Sequence, residues 1–298
     1  MTPVVGGVGR TLLARPPGAS AVDQLLTPKD VQRLLDVHGL APRRAAGQNF
    51  VVDPNTVRKI VRDARVEPDD EVLEIGPGLG SLTLGLAEVV RRVVAVEIDQ
   101  GMVRALDETV GHLDNVEVVH ADALRTDLST LVAPGARLVA NLPYNVATPL
   151  VFGALDSGAF RDLFVMVQRE VGERWAASPG DPPYGAVSVK LALVADVVIV
   201  SHVPRTVFLP VPNVDSVTVR VTPRAHAPTG PARERIVDLI DAAFAARRKT
   251  LRNNLKRIAP LERVLAACRA AGIDPGARAE TLDVADFGRL AESLDARG

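Results

Sequence analysis

The chain has 298 residues, room for one large α/β domain and a smaller one. Hydrophobic residues make up 47% and aromatics only 3%, which excludes wholesale disorder and makes the core mostly Val, Leu and Ala. With 35 basic and 36 acidic residues the chain is not a globally basic nucleic-acid binder, and its one cysteine, Cys268, excludes internal disulfides and a Cys-based zinc cluster while fitting a reducing cytoplasm.

Residues 1–26 are rich in Gly, Pro and Ala without periodicity and read as a flexible extension lacking the apolar run of a signal peptide. No stretch approaches the roughly 18 uninterrupted apolar residues of a membrane span, so a soluble, cytoplasmic chain is expected. Thr27-Pro28-Lys29-Asp30 supplies an N-cap, a proline at the first helical position and an acid in the first turn. It predicts a helix to about His38, stopped by Gly39 and Pro42. Strand candidates follow at Glu71–Ile75, Val93–Ile98, Val116–Val119, Leu138–Ala140 and Leu163–Val167. Amphipathic segments such as Ser81–Val90 and Gly101–Val110 separate them. This alternation predicts an α/β fold, a parallel sheet with helices on both faces, over residues 27–225. Lys190–Val203 and Ser216–Val221 read as further β-rich runs, and Pro223–Pro231 as a linker. Ala232–Ala246, Leu261–Ala271 and Val284–Leu294 are helical patterns, predicting a small all-helical domain over residues 230–298.

Val72-Leu73-Glu74-Ile75-Gly76-Pro77-Gly78-Leu79-Gly80 closes the first strand and opens a helix. Glycines at such a turn let backbone approach a ligand closely. Dinucleotide binders use G-x-G-x-x-G, whereas this loop is G-x-G-x-G after an acid and contains Pro77. The form resembles the first motif of S-adenosylmethionine (SAM)-dependent methyltransferases; an ordinary tight glycine turn is the plain alternative. Glu97 ends the second strand about 20 residues on, where an acid can accept both ribose hydroxyls of a nucleoside. Asp122 follows the third strand and could accept from the adenine amine of a cofactor or simply cap a helix.

Asn141-Leu142-Pro143-Tyr144 follows the fourth strand, at the carboxyl edge where open α/β sheets bind ligands. The exocyclic amine of adenine is a poor nucleophile because its lone pair is delocalised. The Asn141 side-chain carbonyl and the Leu142 backbone carbonyl can accept the amine hydrogens and aim that lone pair. Pro143 fixes the turn, and Tyr144 offers a face on which a flipped base can stack. Otherwise the segment is a Pro turn with Tyr144 in the core. Cys268 lies far from these motifs, which argues against pyrimidine C5 chemistry, and the five histidines show no metal-ligand spacing.

These residues resemble the rRNA adenine N6,N6-dimethyltransferases of the KsgA/RsmA type, the 16S rRNA dimethyladenosine transferases. The resemblance runs from about Arg43 to Leu290, through Gly47-Gln48-Asn49-Phe50-Val51, the glycine loop, Val96-Glu97-Ile98-Asp99 and Ala121-Asp122-Ala123. It continues through Asn141-Leu142-Pro143-Tyr144-Asn145, Val167-Gln168-Arg169-Glu170-Val171, Phe208-Leu209-Pro210-Val211-Pro212-Asn213-Val214-Asp215-Ser216 and Arg247-Arg248-Lys249-Thr250-Leu251-Arg252-Asn253. It implies a Rossmann-like SAM-dependent methyltransferase sheet. Asn49, Val51, Gly76, Glu97, Asp122 and Asn141 would contact SAM, with Gly78, Ile98 and Ala123 beside them. Asn141, Leu142, Pro143 and Tyr144 would hold the target adenine, and Phe208 would be a second stacking wall. Where the family usually reads Ser-Leu-Gly-Gln-Asn-Phe-Leu, this chain has Ala45-Ala46-Gly47-Gln48-Asn49-Phe50-Val51.

Arg247, Arg248, Lys249, Arg252, Lys256 and Arg257 cluster with no acid between them. On a continuous helix Arg248, Arg252 and Lys256 would stack at i, i+4, i+8 and repel one another, a charge that phosphates would compensate. A solvated helix face is the alternative. The reaction expected is dimethylation of two adjacent adenines in the 3′-terminal hairpin of small-subunit rRNA during ribosome biogenesis, by a monomer without a metal. The rivals are a 23S rRNA adenine N6-methyltransferase conferring macrolide resistance, a mainly non-catalytic ribosome-assembly factor, and a nicotinamide oxidoreductase.

Overall fold

The computed structural model describes residues 24–42 and 48–295. Residues 1–23 of the expected extension, and Gly47 of the N-terminal motif, lie outside the described residues. In chain order the elements are α1 (Pro28–Val37), β1 (Phe50–Val51), α2 (Pro54–Ala64), β2 (Glu71–Ile75), α3 (Ser81–Ala87), β3 (Arg92–Glu97), α4 (Gln100–Val110), β4 (Val116–His120), β5 (Ala136–Asn141) and α5 (Ala147–Ser157). They continue with β6 (Phe160–Gln168), α6 (Arg169–Ala176), α7 (Ala186–Val194), β7 (Ala195–Val203), β8 (Phe208–Leu209), β9 (Ser216–Pro223), α8 (Gly230–Phe244), α9 (Leu251–Leu255), α10 (Leu261–Ala271) and α11 (Val284–Asp295). The chain divides into two compact units, Met1–Val167 with Val203–Ser216, and Gln168–His202 with Val217–Gly298.

The first unit is built on parallel strands in the order β4-β3-β2-β5-β6. Every residue of β2 is buried, as are all but the first of β3 and all but the last of β5, which is why these segments read as apolar runs rather than alternating strands. From β2 the chain steps one way to β3 and β4; from β5 it steps the other way to β6. The β2–β5 neighbours therefore form the point where strand order reverses, and the crevice beyond their carboxyl ends is the natural ligand position. A short antiparallel ribbon pairs Phe50 with Leu209 and Val51 with Phe208.

α1 starts as its sequence requires. The Asp30 carboxylate accepts from Thr27 N at 2.8 Å and the Thr27 hydroxyl accepts from Asp30 N at 3.4 Å, a reciprocal capping box. Leu25 and Leu26, placed by sequence in the extension, are 4% and 0% exposed and join the core of this unit. Leu26 directly precedes the cap and shares that core with Val31, the arrangement of a hydrophobic staple.

At the opposite end of the sheet from the crevice, Arg137 of β5 is 4% exposed. Its guanidinium donates to both Asp162 oxygens at 2.7 and 2.8 Å, to Asp70 at 3.3 Å and to the Ala64 carbonyl at 2.6 Å, and also to the Arg65 carbonyl. The buried charge is tolerated because every face of the fork is satisfied.

In the second unit β9 and β7 are neighbours, and α8, α10 and α11 share an apolar core with Tyr184, Cys268 and Phe287. The Tyr184 hydroxyl donates to the Leu282 carbonyl at 2.7 Å, and Phe244 stacks on Phe287 with centroids 6.0 Å apart. Two sequence expectations change here. Lys190–Val203 is not one β-rich run, because α7 extends to Val194 before β7 begins. Ser188, Val189, Leu191, Leu193 and Val194 of α7 are all buried, so no polar face marks the helical period. The basic tract is also not one continuous helix. α8 ends at Phe244 and α9 starts at Leu251. Leu251 N and Arg252 N donate to the Ala277 and Pro275 carbonyls instead of back along a helix. Asn254 Nδ2 then caps the end of α8 through Ala243 O at 2.5 Å and Ala246 O at 3.2 Å.

Removing Arg137 takes the buried guanidinium away from Asp162 and Asp70, although Asp70 keeps Arg161 at 2.7 Å. Arg137→Ala should lower unfolding free energy by about 3–5 kcal/mol in chemical denaturation, and a loss below about 1 kcal/mol would show the cluster to be structurally idle.

Candidate cofactor and catalytic site

The site begins where β2 ends. Gly76, Gly78 and Gly80 carry φ of 70°, 59° and 92°, a left-handed run that only glycine adopts cheaply. A Cβ on Gly78 would meet the Phe50 ring at 2.8 Å, and one on Gly76 would lie 3.5 Å from the Pro143 ring. The loop is thus pressed between β1 and the turn that follows β5. Gly76 N donates to Val96 O at 2.9 Å, tying the loop to β3.

Glu97 at the end of β3 is 5% exposed. One carboxylate oxygen accepts from Gly78 N at 3.2 Å and the other from Asp99 N at 2.9 Å, so the acid is held rigidly beside the loop. Burial raises its pKa against those two hydrogen bonds. Glu74, in β2, is 1% exposed and accepts from the Thr83 hydroxyl at 2.6 Å. Burial, helped by the nearby Glu97 charge, pushes its pKa up to about 8. The sequence marks this acid only by its place two residues before the first glycine; its burial follows from the sheet.

A cleft of about 300 Å³ opens beyond these strand ends, within the size range of small-molecule sites. Asn49, Val51, Gly76, Gly78, Glu97, Ile98, Asp122, Ala123, Asn141 and Pro143 all line it. Ile98 is 63% exposed and Leu124 49%, an apolar pair on its rim that suits the faces of a flat ring. Asp122 keeps its plainer role as well: one oxygen accepts from Leu124 N at 3.0 Å and the other lies 3.5 Å from Arg125 Nε.

Asn141 ends β5. Its Nδ2 donates to the Asn49 backbone carbonyl at 3.0 Å, which sets the amide orientation. Its Oδ1 is buried and has no partner in the protein. A buried acceptor left open costs stability unless a donor from outside the protein reaches it. Leu142, 1% exposed, donates its N–H to Met166 O at 3.1 Å and anchors the turn on β6. The half-buried Tyr144 places its hydroxyl 2.8 Å from Ser216 Oγ, and burial raises its pKa. Phe208 is 1% exposed in the core, opposite Val51 in the β1–β8 ribbon. Leu142, Tyr144 and Phe208 therefore stand outside the cleft lining that the other expected site residues share.

The chemistry of the residues alone does not single out Asn49, Val51, Ser81 or Leu82. Asn49 and Val51 came only through the family resemblance. Ser81 and Leu82 follow the glycines directly, so proximity to that loop was the one available signal.

Considered within its own unit, the basic tract is exposed: Arg247, Arg248, Lys249, Arg252, Lys256 and Arg257. Arg247 lies 3.7 Å from Glu280 and donates to the Pro182 carbonyl at 3.2 Å. The break before α9 spreads the cluster around a corner instead of along one helix face.

Glu74 yields a pH signature. Between its ordinary 4.5 and about 8, the folded chain holds a proton that the unfolded chain has released. Stability conferred below that window is thus lost as pH rises through it, at up to about 1.4 kcal/mol per pH unit. Denaturation curves between about pH 5 and 8 should slope downward for the native chain and less steeply for Glu74→Gln; parallel slopes would remove Glu74 as the cause.

Residues 40–296 match the family model for ribosomal RNA adenine dimethylase. The ribosomal RNA small subunit methyltransferase A of Thermobifida fusca is 52% identical over 280 residues, 92% of this chain and 97% of that protein. The protein of the same description from Geobacillus thermodenitrificans is 40% identical over 283 residues, 91% of this chain and 97% of that one. Among solved structures, the 23S rRNA methyltransferase ErmE superposes with a TM-score of 0.66 at 31% identity, covering 83% of this chain and 100% of its own. A dimethyladenosine transferase from Plasmodium falciparum gives 0.66 at 29% identity, covering 81% and 95%. With a glycine loop, two strand-end acids and an open asparagine acceptor meeting at one switch point, and a family match over most of its length, this chain belongs to the ribosomal RNA adenine dimethylases, a family with the fold of SAM-dependent methyltransferases.

Proposed function

We propose that this chain uses SAM to convert two adjacent adenines in the 3′-terminal hairpin of small-subunit 16S rRNA to N6,N6-dimethyladenine. The observation that carries the reading is the buried, partnerless Asn141 Oδ1, held in orientation by the Asn49 carbonyl at the head of the cleft. SAM, when bound, supplies an electrophilic methyl group on a sulfonium. Glu97 would accept from its ribose hydroxyls and Asp122 from its adenine amine, with the Gly76–Gly78 backbone forming part of the same wall. Asn49, Val51, Ile98 and Ala123 complete the cofactor wall.

The chain's own groups then prepare the target. Asn141 Oδ1 and the Leu142 carbonyl accept the two amine hydrogens, which turns the nitrogen lone pair toward the methyl group. Pro143 keeps Leu142 extended, and Tyr144, fixed by Ser216, gives the flipped base a stacking face. Phe208 serves as the second wall; being 1% exposed, it reaches a base only when the β1–β8 ribbon shifts. The alkylated amine is acidic enough to lose its proton to water, so catalysis is positioning and electrostatics. Arg247, Arg248, Lys249, Arg252 and Lys256 bind rRNA phosphates. Residues 27–225 carry the methyl transfer and 230–298 hold the RNA. The enzyme works in the cytoplasm as a monomer, and it needs no metal because the donor is already activated. Among the described residues no helix is long and apolar enough to cross a membrane.

The 52% identity to a small-subunit enzyme, against 31% to the large-subunit enzyme ErmE, favours the small subunit. The deciding experiment offers labelled SAM to purified small and large subunits that lack these modifications, followed by digestion and mass spectrometry. Dimethyladenine should appear in the small-subunit hairpin. Label confined to the large subunit would redirect the assignment, and SAM binding without transfer would leave an assembly factor. Arg248→Glu with Arg252→Glu should abolish transfer while SAM affinity is unchanged; full activity would take the basic patch out of the mechanism.

A further inference from the structure

Among the described residues, three buried side-chain atoms have no hydrogen-bond partner: Ser81 Oγ, Asn141 Oδ1 and Thr250 Oγ1. Ser81 and Asn141 both line the cofactor cleft. Ser81 is 6% exposed and follows Gly80 directly. The neighbouring hydroxyl, Thr83, is already spent on Glu74 at 2.6 Å, so Ser81 is the hydroxyl donor left over on the wall that β2 and its loop provide. A buried hydroxyl is normally satisfied, and an open one lining a ligand cleft points to a ligand group.

The cofactor's chemistry says which group. On the reading above, the adenosine arm runs to Glu97 and Asp122 at the ends of β3 and β4. The methyl group faces Asn141 at the end of β5. The remaining arm on the sulfonium is the methionyl chain, which ends in an α-carboxylate and an α-ammonium. The wall without a side-chain partner for the cofactor is the one after β2, where Ser81, the first residue of α3, lines the cleft with Glu74. A hydroxyl donor complements a carboxylate, and a hydrogen bond to a charged acceptor is the stronger kind.

We infer that Ser81 Oγ donates to the α-carboxylate of the methionyl arm, which makes Ser81 the residue that distinguishes the complete cofactor from thionucleosides lacking that arm. The inference rests on the SAM reading. It adds a residue for which neither the glycine spacing nor the family resemblance assigns a role.

The test is calorimetric binding of SAM, S-adenosylhomocysteine and 5′-methylthioadenosine to the native chain and to Ser81→Ala. Loss of one hydrogen bond to a charged group should weaken the first two by about tenfold or more. The affinity for 5′-methylthioadenosine, which has no carboxylate, should be unchanged. Thermal melting without any of these compounds should show Ser81→Ala no less stable than the native chain, since the variant only removes an unsatisfied hydroxyl. Equal losses for all three compounds would assign Ser81 to loop geometry and overturn the inference, as would native affinity for SAM in the variant. A native chain that bound none of the three would overturn the methyl-donor reading first, and this inference with it.

Discussion

Everything at the site depends on β2 and β5 being parallel neighbours, with Val72 opposite Arg137 and Leu73 opposite Leu138. Because the chain leaves β2 in one direction and β5 in the other, no crossover covers their carboxyl ends, and the loops that follow them must face each other. That is why the glycine loop and the Asn141–Tyr144 turn meet, with the missing Cβ of Gly76 only 3.5 Å from the Pro143 ring. The Arg137 cluster holds the other end of the same strand pair, gathering Asp70, Asp162 and the end of α2 around one guanidinium. One end of the pair is closed by satisfied charge; the other is left open for chemistry.

The open end breaks the rules that the rest of the unit obeys. Two carboxyl groups, Glu74 and Glu97, are buried close enough for the charge of one to disfavour ionisation of the other. Two buried polar atoms, Ser81 Oγ and Asn141 Oδ1, lack partners. Each of these is a cost in the isolated fold, and concentrating them in one cleft is what a binding site looks like before its ligands supply the missing donors and acceptors.

The glycine loop and the Asn141 turn are joined through the segment before α2. The Asn49 carbonyl takes the proton donor of Asn141, the Phe50 ring fills the space left by Gly78, and Val51 pairs with Phe208. A segment that lines the cleft therefore also sets which atom of the Asn141 amide is left open. Displacement of that segment would disturb the cleft wall and the Asn141 amide together, because one backbone carbonyl orients that amide.

Strand and helix identity was legible in the sequence wherever a residue's local chemistry decides it. Thr27 and Asp30 specify a cap by themselves, β2 is ended by the glycines that follow it, and α10 runs from Leu261 to Ala271 as its period requires. The strand-end acids and the Asn141 motif were legible for the same reason, since each follows a strand at a position where side chains meet ligand. Other features depend on contacts between distant segments. α7 hides its period because its residues are apolar on nearly every side, and the basic tract breaks because Leu251 and Arg252 find carbonyls at 275–277. Phe208 is a core side chain because Val51, more than 150 positions earlier, pairs with it. By itself the sequence determined the strand-loop-helix units and the polar residues at their ends. Only the tertiary structure decided which buried groups remain unpartnered, because that depends on whether a donor from elsewhere in the chain arrives within hydrogen-bond reach.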